Sequence, residues 1–304
     1  MTKGRIIILD GGMGRELERR GAPFKQPEWS ALAMMEAPEM VKEVHKDFIS
    51  SGAGVISTNS YALVPFHIGE ELFQTQGQAL AASAGRIARA AVKETRSNTR
   101  VAGSLPPLFG SYRADLYQPE RVAEIASPLI EGLSPYVDLW LCETQSLLAE
   151  AMSIKSLVDR LDEEKKPVWI SFTLADAEVA NEPLLRSGEP LVEAVETMSG
   201  LGVEAILFNC CQPEVIGDAI QVTRDKLASL GALEIEIGAY ANAFPPQPKN
   251  ATANEGLDEV RADLTPSSYL NWARQWRQKG ATLIGGCCGV GPDHIALLSK
   301  QLVV

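Results

Sequence analysis

The chain has 304 residues, with 28 Lys+Arg against 39 Asp+Glu for a formal charge of −11, 45% hydrophobic residues, five cysteines and three histidines. That balance is too apolar for a disordered chain, and its acidity argues against nucleic acid or an anionic membrane surface as partner. No stretch approaches the ~20 apolar residues of a membrane-spanning helix and no signal-peptide pattern opens the chain, so a cytoplasmic protein is expected.

In chain order, β-branched and apolar runs predict strands over residues 5–12, 54–61, 99–106, 137–144, 167–174, 204–211, 234–242 and 281–288. Ile6-Ile7-Ile8-Leu9 and Ala205-Ile206-Leu207-Phe208 are continuous hydrophobes, as parallel strands buried on both faces require. Helical periodicity between the runs predicts helices over 38–51, 74–96, 119–132, 146–164, 189–198, 213–230, 266–279 and 292–302. Several open on proline, which is preorganised for the first helical position, and 74–96 is rich in alanine. Eight strands in strict alternation with helices predict an α/β fold in which a parallel sheet closes as a single (β/α)8 barrel, one domain over residues 1–304. Asp10-Gly11-Gly12-Met13-Gly14, after the first strand, lacks the G-x-G-x-x-G spacing of a dinucleotide site. The longest irregular stretch, 244–264, follows strand seven, where such a barrel carries active-site loops.

In a barrel the chemistry sits at the carboxyl ends of the strands, and the polar residues gather there. The ends read Asp10-Gly11-Gly12, Ser57-Thr58-Asn59-Ser60-Tyr61, Cys142-Glu143-Thr144-Gln145, Asn209-Cys210-Cys211, Tyr240-Ala241-Asn242 and Gly285-Gly286-Cys287-Cys288-Gly289. In a reducing compartment cysteines serve as ligands, nucleophiles or core residues. Cys210 or Cys211 together with Cys287 and Cys288 can offer three thiolates to one zinc and leave its fourth position open, as catalytic zinc sites do. Adjacent residues of a strand point to opposite faces, so Cys287 and Cys288 share an ion only if the chain leaves the pleat, a freedom that Gly285, Gly286 and Gly289 supply. Cys210 is the preferred member of its pair, with Cys211 packed or turned away. Cys142, inside Leu139-Trp140-Leu141-Cys142, reads as core.

Asp10 and Glu143 are costly to bury near a barrel mouth without a cation, so a ligand's amino group is a natural partner; helix capping or an ion pair is the plainer reading. Gly11 and Gly12 offer amides to a carboxylate, although glycine after a strand is also an ordinary turn. Thr58 and Asn59 are candidate substrate hydrogen-bonders, and Asn209 is a candidate support for the cysteine beside it. His294 reads as part of a helix start, His45 and His67 as structural, and the basic run Arg15, Arg19, Arg20 as a solvated helix face. With so few histidines neither a histidine zinc site nor a Ser-His-Asp set declares itself.

Asp10-Gly11-Gly12-Met13-Gly14-Arg15-Glu16-Leu17, Thr58-Asn59-Ser60-Tyr61, Cys142-Glu143-Thr144, Asn209-Cys210 and Gly285-Gly286-Cys287-Cys288-Gly289 together resemble the homocysteine S-methyltransferase family, in the family's order from Ile6 to Ile295. The resemblance implies a TIM barrel, a Zn2+ held by Cys210, Cys287 and Cys288, and catalytic Asp10 and Glu143 on the amino group of homocysteine. It places Gly11 and Gly12 at the carboxylate, Thr58 and Asn59 nearby, and Asn209 among the substrate-side residues. The doubled Cys210-Cys211 departs from members with one cysteine there. The implied reaction is methyl transfer to homocysteine, giving methionine, with S-methylmethionine the first-choice donor. Trp29, Tyr61, Phe66, Phe109, Tyr112, Tyr117 and Phe244 are candidate faces for a cationic donor. The partners are thus two small molecules, with the protein a monomer or small homo-oligomer. Selenocysteine as acceptor, a thiol-amino-acid binding protein without transfer, and a redox protein using the cysteine pairs are the competing readings.

Overall fold

Eight parallel strands form a ring in the computed structural model, which describes residues 5–177, 182–248, 251 and 259–303. They are β1 (Ile7–Ile8), β2 (Val55–Ser57), β3 (Arg100–Leu105), β4 (Leu139–Gln145), β5 (Val168–Phe172), β6 (Ala205–Asn209), β7 (Glu236–Tyr240) and β8 (Leu283–Ile284). Each pairs with its sequence neighbour, β1 pairs with β8, and a parallel bridge from Leu9 to Val55 closes the remaining gap. The expected (β/α)8, or TIM, barrel is therefore the fold.

Alternation of side chains along each strand sorts the apolar residues into two layers. Leu9, Val55, Ala102, Leu139, Leu141, Trp169, Leu207 and Leu283 fill the barrel, while Ile8, Ile56, Val101, Trp140, Ile170, Phe172 and Phe208 face the helices. Cys142 lies in the outer layer and is wholly buried, and that burial pushes its thiol up to about 12. It is a core residue, as its neighbours foretold.

The helices of the outer ring are Pro38–Ser50, Glu70–Thr95, Val122–Leu133, Leu148–Leu161, Leu191–Gly200, Pro213–Leu230, Pro266–Lys279 and Pro292–Leu302. The last three coincide with the expected spans. Three further short helices are Met13–Arg19, which carries Arg15 and Arg19 of the basic run read as a helix face, and Ser30–Glu36 and Pro65–Ile68, which were not foreseen. All lie in the connections after β1 and β2, over the carboxyl rim. β1 and β8 are much shorter than their hydrophobic runs because both chains leave the sheet early to build that rim. The long connection after β7 runs from Tyr240 to Pro266, as anticipated, and residues 249, 250 and 252–258 of it lie outside the described residues. Among the described residues no helix is long and apolar enough to cross a membrane.

The alanine-rich helix Glu70–Thr95 packs against Val122–Leu133 closely enough that backbone meets backbone. A Cβ added to Gly132 would lie 2.5 Å from the Gln78 carbonyl oxygen, 2.9 Å from the Ala81 Cβ and 3.0 Å from the Ala82 nitrogen. Alanine's helix preference favours Gly132→Ala by about 1 kcal/mol, but main chain cannot yield as a flexible side chain can. We expect a net loss of about 1–2 kcal/mol, read as a lower urea midpoint at unchanged slope.

Candidate active and metal site

The inward positions that fill the barrel with leucine and valine turn polar one step beyond, at the carboxyl ends. Ser57, Ser104, Glu143, Ser171 and Asn209 each stand two residues after an inward apolar position. Glu143 is buried; it accepts from the Ser104 hydroxyl and, at 3.2 Å, from the Tyr240 hydroxyl. Burial pushes its pKa to about 7 against those two opposing bonds. Asp10, also buried, accepts from the Ser57 amide at 2.7 Å and the Ser57 hydroxyl at 3.3 Å. Burial again dominates and, with the charge of Glu143 adding, raises its pKa to about 8. Neither acid has an ion-pair partner among the described residues. Both therefore hold protons near neutrality and would release them to a cation.

Glu143 owes its place to a break in β4. The register with β5 slips between Cys142 and Gln145, and Thr144 adopts a left-handed φ of 58°. Asn209 fastens this bulge: its side-chain oxygen accepts from the Thr144 amide at 2.9 Å and the Ser171 hydroxyl at 2.7 Å, and its NH2 donates to the Thr144 hydroxyl at 2.8 Å. Asn209 is fully buried and is not among the residues that line the cavity described below. Its amide is consumed by the wall that presents Glu143.

The chain leaves β6 through another left-handed residue, Cys210, at φ 54°. The turn separates the doubled cysteine: the Cys210 thiol joins Cys287 and Cys288, whereas Cys211 is wholly buried in the outer core. Beyond β8 the Cys287 amide donates to Ala241 at 2.9 Å, Ala243 donates to the Cys288 carbonyl at 2.8 Å, and Val290 turns back onto the Cys287 carbonyl at 3.0 Å. The pleat has ended, and adjacent cysteines can face one point. All three sulfurs lie within 4.8 Å of one another, with Cys210 and Cys287 3.1 Å apart. Zinc–sulfur bonds of ~2.3 Å in a tetrahedron set sulfur separations of ~3.8 Å, so the cluster has the size and the donors for such an ion. Donation from Cys210 and Cys287 lowers the Cys288 thiol well below its ordinary value, and the Arg15 charge helps.

A Cβ on Gly12 would come 2.6 Å from the Cys287 oxygen and 2.9 Å from the Cys288 Cα, and the Gly12 amide donates to Val290 at 2.9 Å. Gly12 thus serves close approach, and although its amide is committed to the Val290 carbonyl it also lines the cavity described below.

One cavity of about 210 Å³ is lined by Asp10, Gly11, Gly12, Thr58, Asn59, Glu143, Cys210, Cys287 and Cys288 among others. The Thr58 hydroxyl also accepts from the Ser104 amide at 3.0 Å, and the Asn59 NH2 donates to the Ser30 carbonyl at 3.0 Å. Of the aromatics singled out, Trp29, Tyr61, Tyr112 and Phe244 line the cavity; Phe24 and Tyr240, which do so too, were not. Phe109 and Tyr117 instead pack edge to face at 5.9 Å, and Phe66 lies under Gly110. Arg15 corrects the picture of a solvated basic face: it lines the cavity with its guanidinium 5.1 Å from the Phe244 ring centre. Arg20 is likewise tied to Glu16 and Asp47, and only Arg19 projects to solvent.

A family model described as homocysteine S-methyltransferase matches residues 7–302. The homocysteine S-methyltransferase of Escherichia coli K12 is 31% identical over 99% of this chain and 96% of its own length. A selenocysteine methyltransferase of Astragalus bisulcatus is 26% identical over 98% of this chain and 94% of its own. Among solved structures, the metallated form of the homocysteine methyltransferase MmuM from Escherichia coli aligns with a TM-score of 0.77 at 30% identity, covering 98% of this chain and 97% of that one.

The raised acids have a measurable cost. An unfolded chain loses the Asp10 proton near pH 4, whereas the fold retains it until about pH 8, so stability falls as pH rises across that window. Asp10→Asn keeps an acceptor for the Ser57 amide and removes the penalty. In metal-free protein we expect the variant to be about 1–3 kcal/mol more stable than the parent at pH 8 and equal to it at pH 4. Thermal melts at the two pH values decide; a variant less stable at pH 8 would contradict the assignment.

Proposed function

The chain belongs to the homocysteine S-methyltransferase family, and from that premise we propose that it moves a methyl group from a sulfonium donor, S-methylmethionine first, to the thiol of homocysteine, giving methionine. What carries the proposal is the sharing of one cavity of about 210 Å³ by three convergent thiols and two buried carboxyls. Homocysteine has a thiol at one end and an ammonium at the other, and the site has a matching group for each. A zinc ion held by Cys210, Cys287 and Cys288 would supply the Lewis acidity that keeps the acceptor thiol, ordinarily near pKa ~8.5, ionised at neutral pH.

The chain's own residues do the rest. An ammonium between Asp10 and Glu143 would draw both carboxyls to their charged forms and replace the missing counter-charge. The substrate carboxylate would lie along residues 11–15, near the Arg15 charge, with Gly11 rather than Gly12 offering an amide. Thr58 and Asn59 complete the wall on the same side. The aromatic faces of Trp29, Tyr61, Tyr112 and Phe244 suit an onium methyl donor and exclude water around it. Attack on a sulfonium methyl expels a neutral thioether, so no general acid is required and alignment of sulfur, methyl and leaving sulfur decides the rate. Reduced thiol ligands fit action in the cytoplasm, within methionine biosynthesis.

The test offers homocysteine and, separately, selenocysteine to reduced, zinc-loaded protein with S-methylmethionine, S-adenosylmethionine, betaine or dimethylsulfoniopropionate. Methionine formation with the sulfonium donors is expected, S-methylmethionine best; no product with any pair would overturn the proposal. Cys287→Ala and Cys288→Ala should each lose bound zinc and at least ~100-fold in activity, more than loss of a supporting neighbour costs. Both should still melt cooperatively, because the two hydrophobic layers and not the metal hold the barrel together. Unfolding on zinc removal would contradict that.

A further inference from the structure

We propose that Arg186, locked to Asp176, is a positioning residue for the donor-facing half of the cavity, acting through Tyr112 and the segment 244–248 without touching a reactant. The proposal rests on the methyl-transfer reading above. Asp176 and Arg186 stand on the two arms of the connection after β5, which pair antiparallel at Leu174 and Leu185. Their side chains are 0% and 3% exposed and meet at 2.9 Å. Neither lines the cavity.

A buried ion pair is rarely there for stability, because desolvating two charges costs about as much as their attraction returns. Here burial outweighs the neighbouring guanidinium, and the Asp176 carboxyl sits above its ordinary value. The pair must then be judged by what it holds. Arg186 Nη1 donates to the carbonyls of Gln247 at 3.3 Å and Pro248 at 3.4 Å. Its guanidinium carbon lies 4.4 Å from the Tyr112 ring centre, and the Tyr112 hydroxyl donates to the Cys210 carbonyl at 3.3 Å. Asp176 accepts the Gln212 amide at 3.1 Å, and the Gln212 side chain in turn donates to the Phe244 carbonyl. One buried pair thereby ties together the connections after β3, β5, β6 and β7.

Three of the residues so held, Tyr112, Phe244 and Gln247, line the cavity. The acids proposed for the amino group, Asp10 and Glu143, are instead held by Ser57, Ser104 and Tyr240, outside this network. A planar fork that pairs, stacks and reaches two carbonyls at once is specific to arginine; lysine keeps only the charge. Loosening Arg186 should therefore misplace the donor and leave acceptor and metal alone, because the Cys210 carbonyl that Tyr112 reaches also accepts from the Thr173 hydroxyl at 3.2 Å.

The experiment compares the zinc-loaded parent with Arg186→Lys, alone and combined with Tyr112→Leu. For Arg186→Lys the donor KM should rise about tenfold or more, while homocysteine KM and zinc content stay within about twofold, since small misplacements can cost up to ~100-fold. Amide exchange in peptides spanning 112 and 244–248 should quicken, with strand peptides unchanged. In the Tyr112→Leu background the lysine change should add less than about twofold, because contacts in one network do not add. A parent-like donor KM and exchange pattern, or equal losses in homocysteine affinity and zinc, would overturn the proposal. If the parent transfers no methyl group at all, the methyl-transfer reading fails, and the exchange data alone decide whether Arg186 holds these segments. Should Arg186→Lys fail to fold, Tyr112→Leu alone, which leaves the ion pair in place, must still raise donor KM and quicken exchange at 244–248, or the proposal falls.

Discussion

Where the first and last strands meet, two main chains run in contact, and that contact brings Asp10 together with Cys287 and Cys288. Gly286 donates to the Asp10 carbonyl at 3.0 Å and Gly12 to the Val290 carbonyl at 2.9 Å, while a Cβ on Gly285 would stand 2.8 Å from the Asp10 oxygen. Side chains at these positions would force the two chains apart. Their absence brings Asp10, at the end of the first run, beside Cys287 and Cys288, at the end of the last. β7 fixes the other flank of the same segment through Ala241 and Ala243. The thiols are thus placed by main-chain hydrogen bonds on both sides, the stiffest support a loop can have, and an ion would find its ligands already gathered.

This preorganisation has an electrostatic cost. Two carboxyls and three thiols share a small buried space in which Arg15, the one Lys or Arg lining it among the described residues, is engaged with Glu18 and Phe244. The acids answer by holding their protons, to about pH 8 and pH 7. Such a site is a poor stabiliser and a good receptor: what it lacks, positive charge, is what a metal ion and an ammonium bring. The left-handed residues Thr144 and Cys210 add backbone strain of order 1–2 kcal/mol each. The apolar layers inside and outside the barrel are large enough to carry both burdens.

Which parts of this were legible in the sequence depends on whether a residue's fate is decided locally. Helices Pro213–Leu230 and Pro266–Lys279 match expectation because proline opens each and a left-handed glycine, Gly231 or Gly280, follows. The three cysteines stood out because thiols at two strand ends have few alternative uses. Ser30–Glu36 and Pro65–Ile68 were missed because the packing of the rim, not periodicity, makes them helical. Asn209 could not be assigned to wall or cavity without knowing that β4 bulges opposite it. Arg15 looked solvated because nothing in its own helix announces that Phe244, more than two hundred residues on, will cover it. Asp176 and Arg186 carry no motif at all; a charge pair separated by ten residues means nothing until the connection folds back on itself.

The two halves of the cavity are held by different physics. The side proposed for the acceptor is built on strand ends, where ladder hydrogen bonds fix the backbone, and Ser57, Ser104 and Tyr240 orient the acids. The side proposed for the donor includes, besides Trp29 and Tyr61, the loops after β3 and β7, which have no ladder and whose aromatic faces would drift over an apolar contact alone. A loop can be fixed only through its own polar groups, and here the carbonyls of Gln247, Pro248 and Phe244 are claimed by buried side chains. That requirement accounts for a buried charge pair beside these loops, and for the strand-end acids doing without one. On the proposed assignment, donor preference would change by substitution in the loops and their buried ties, while the acceptor end, fixed by the strand ends, would stay as it is.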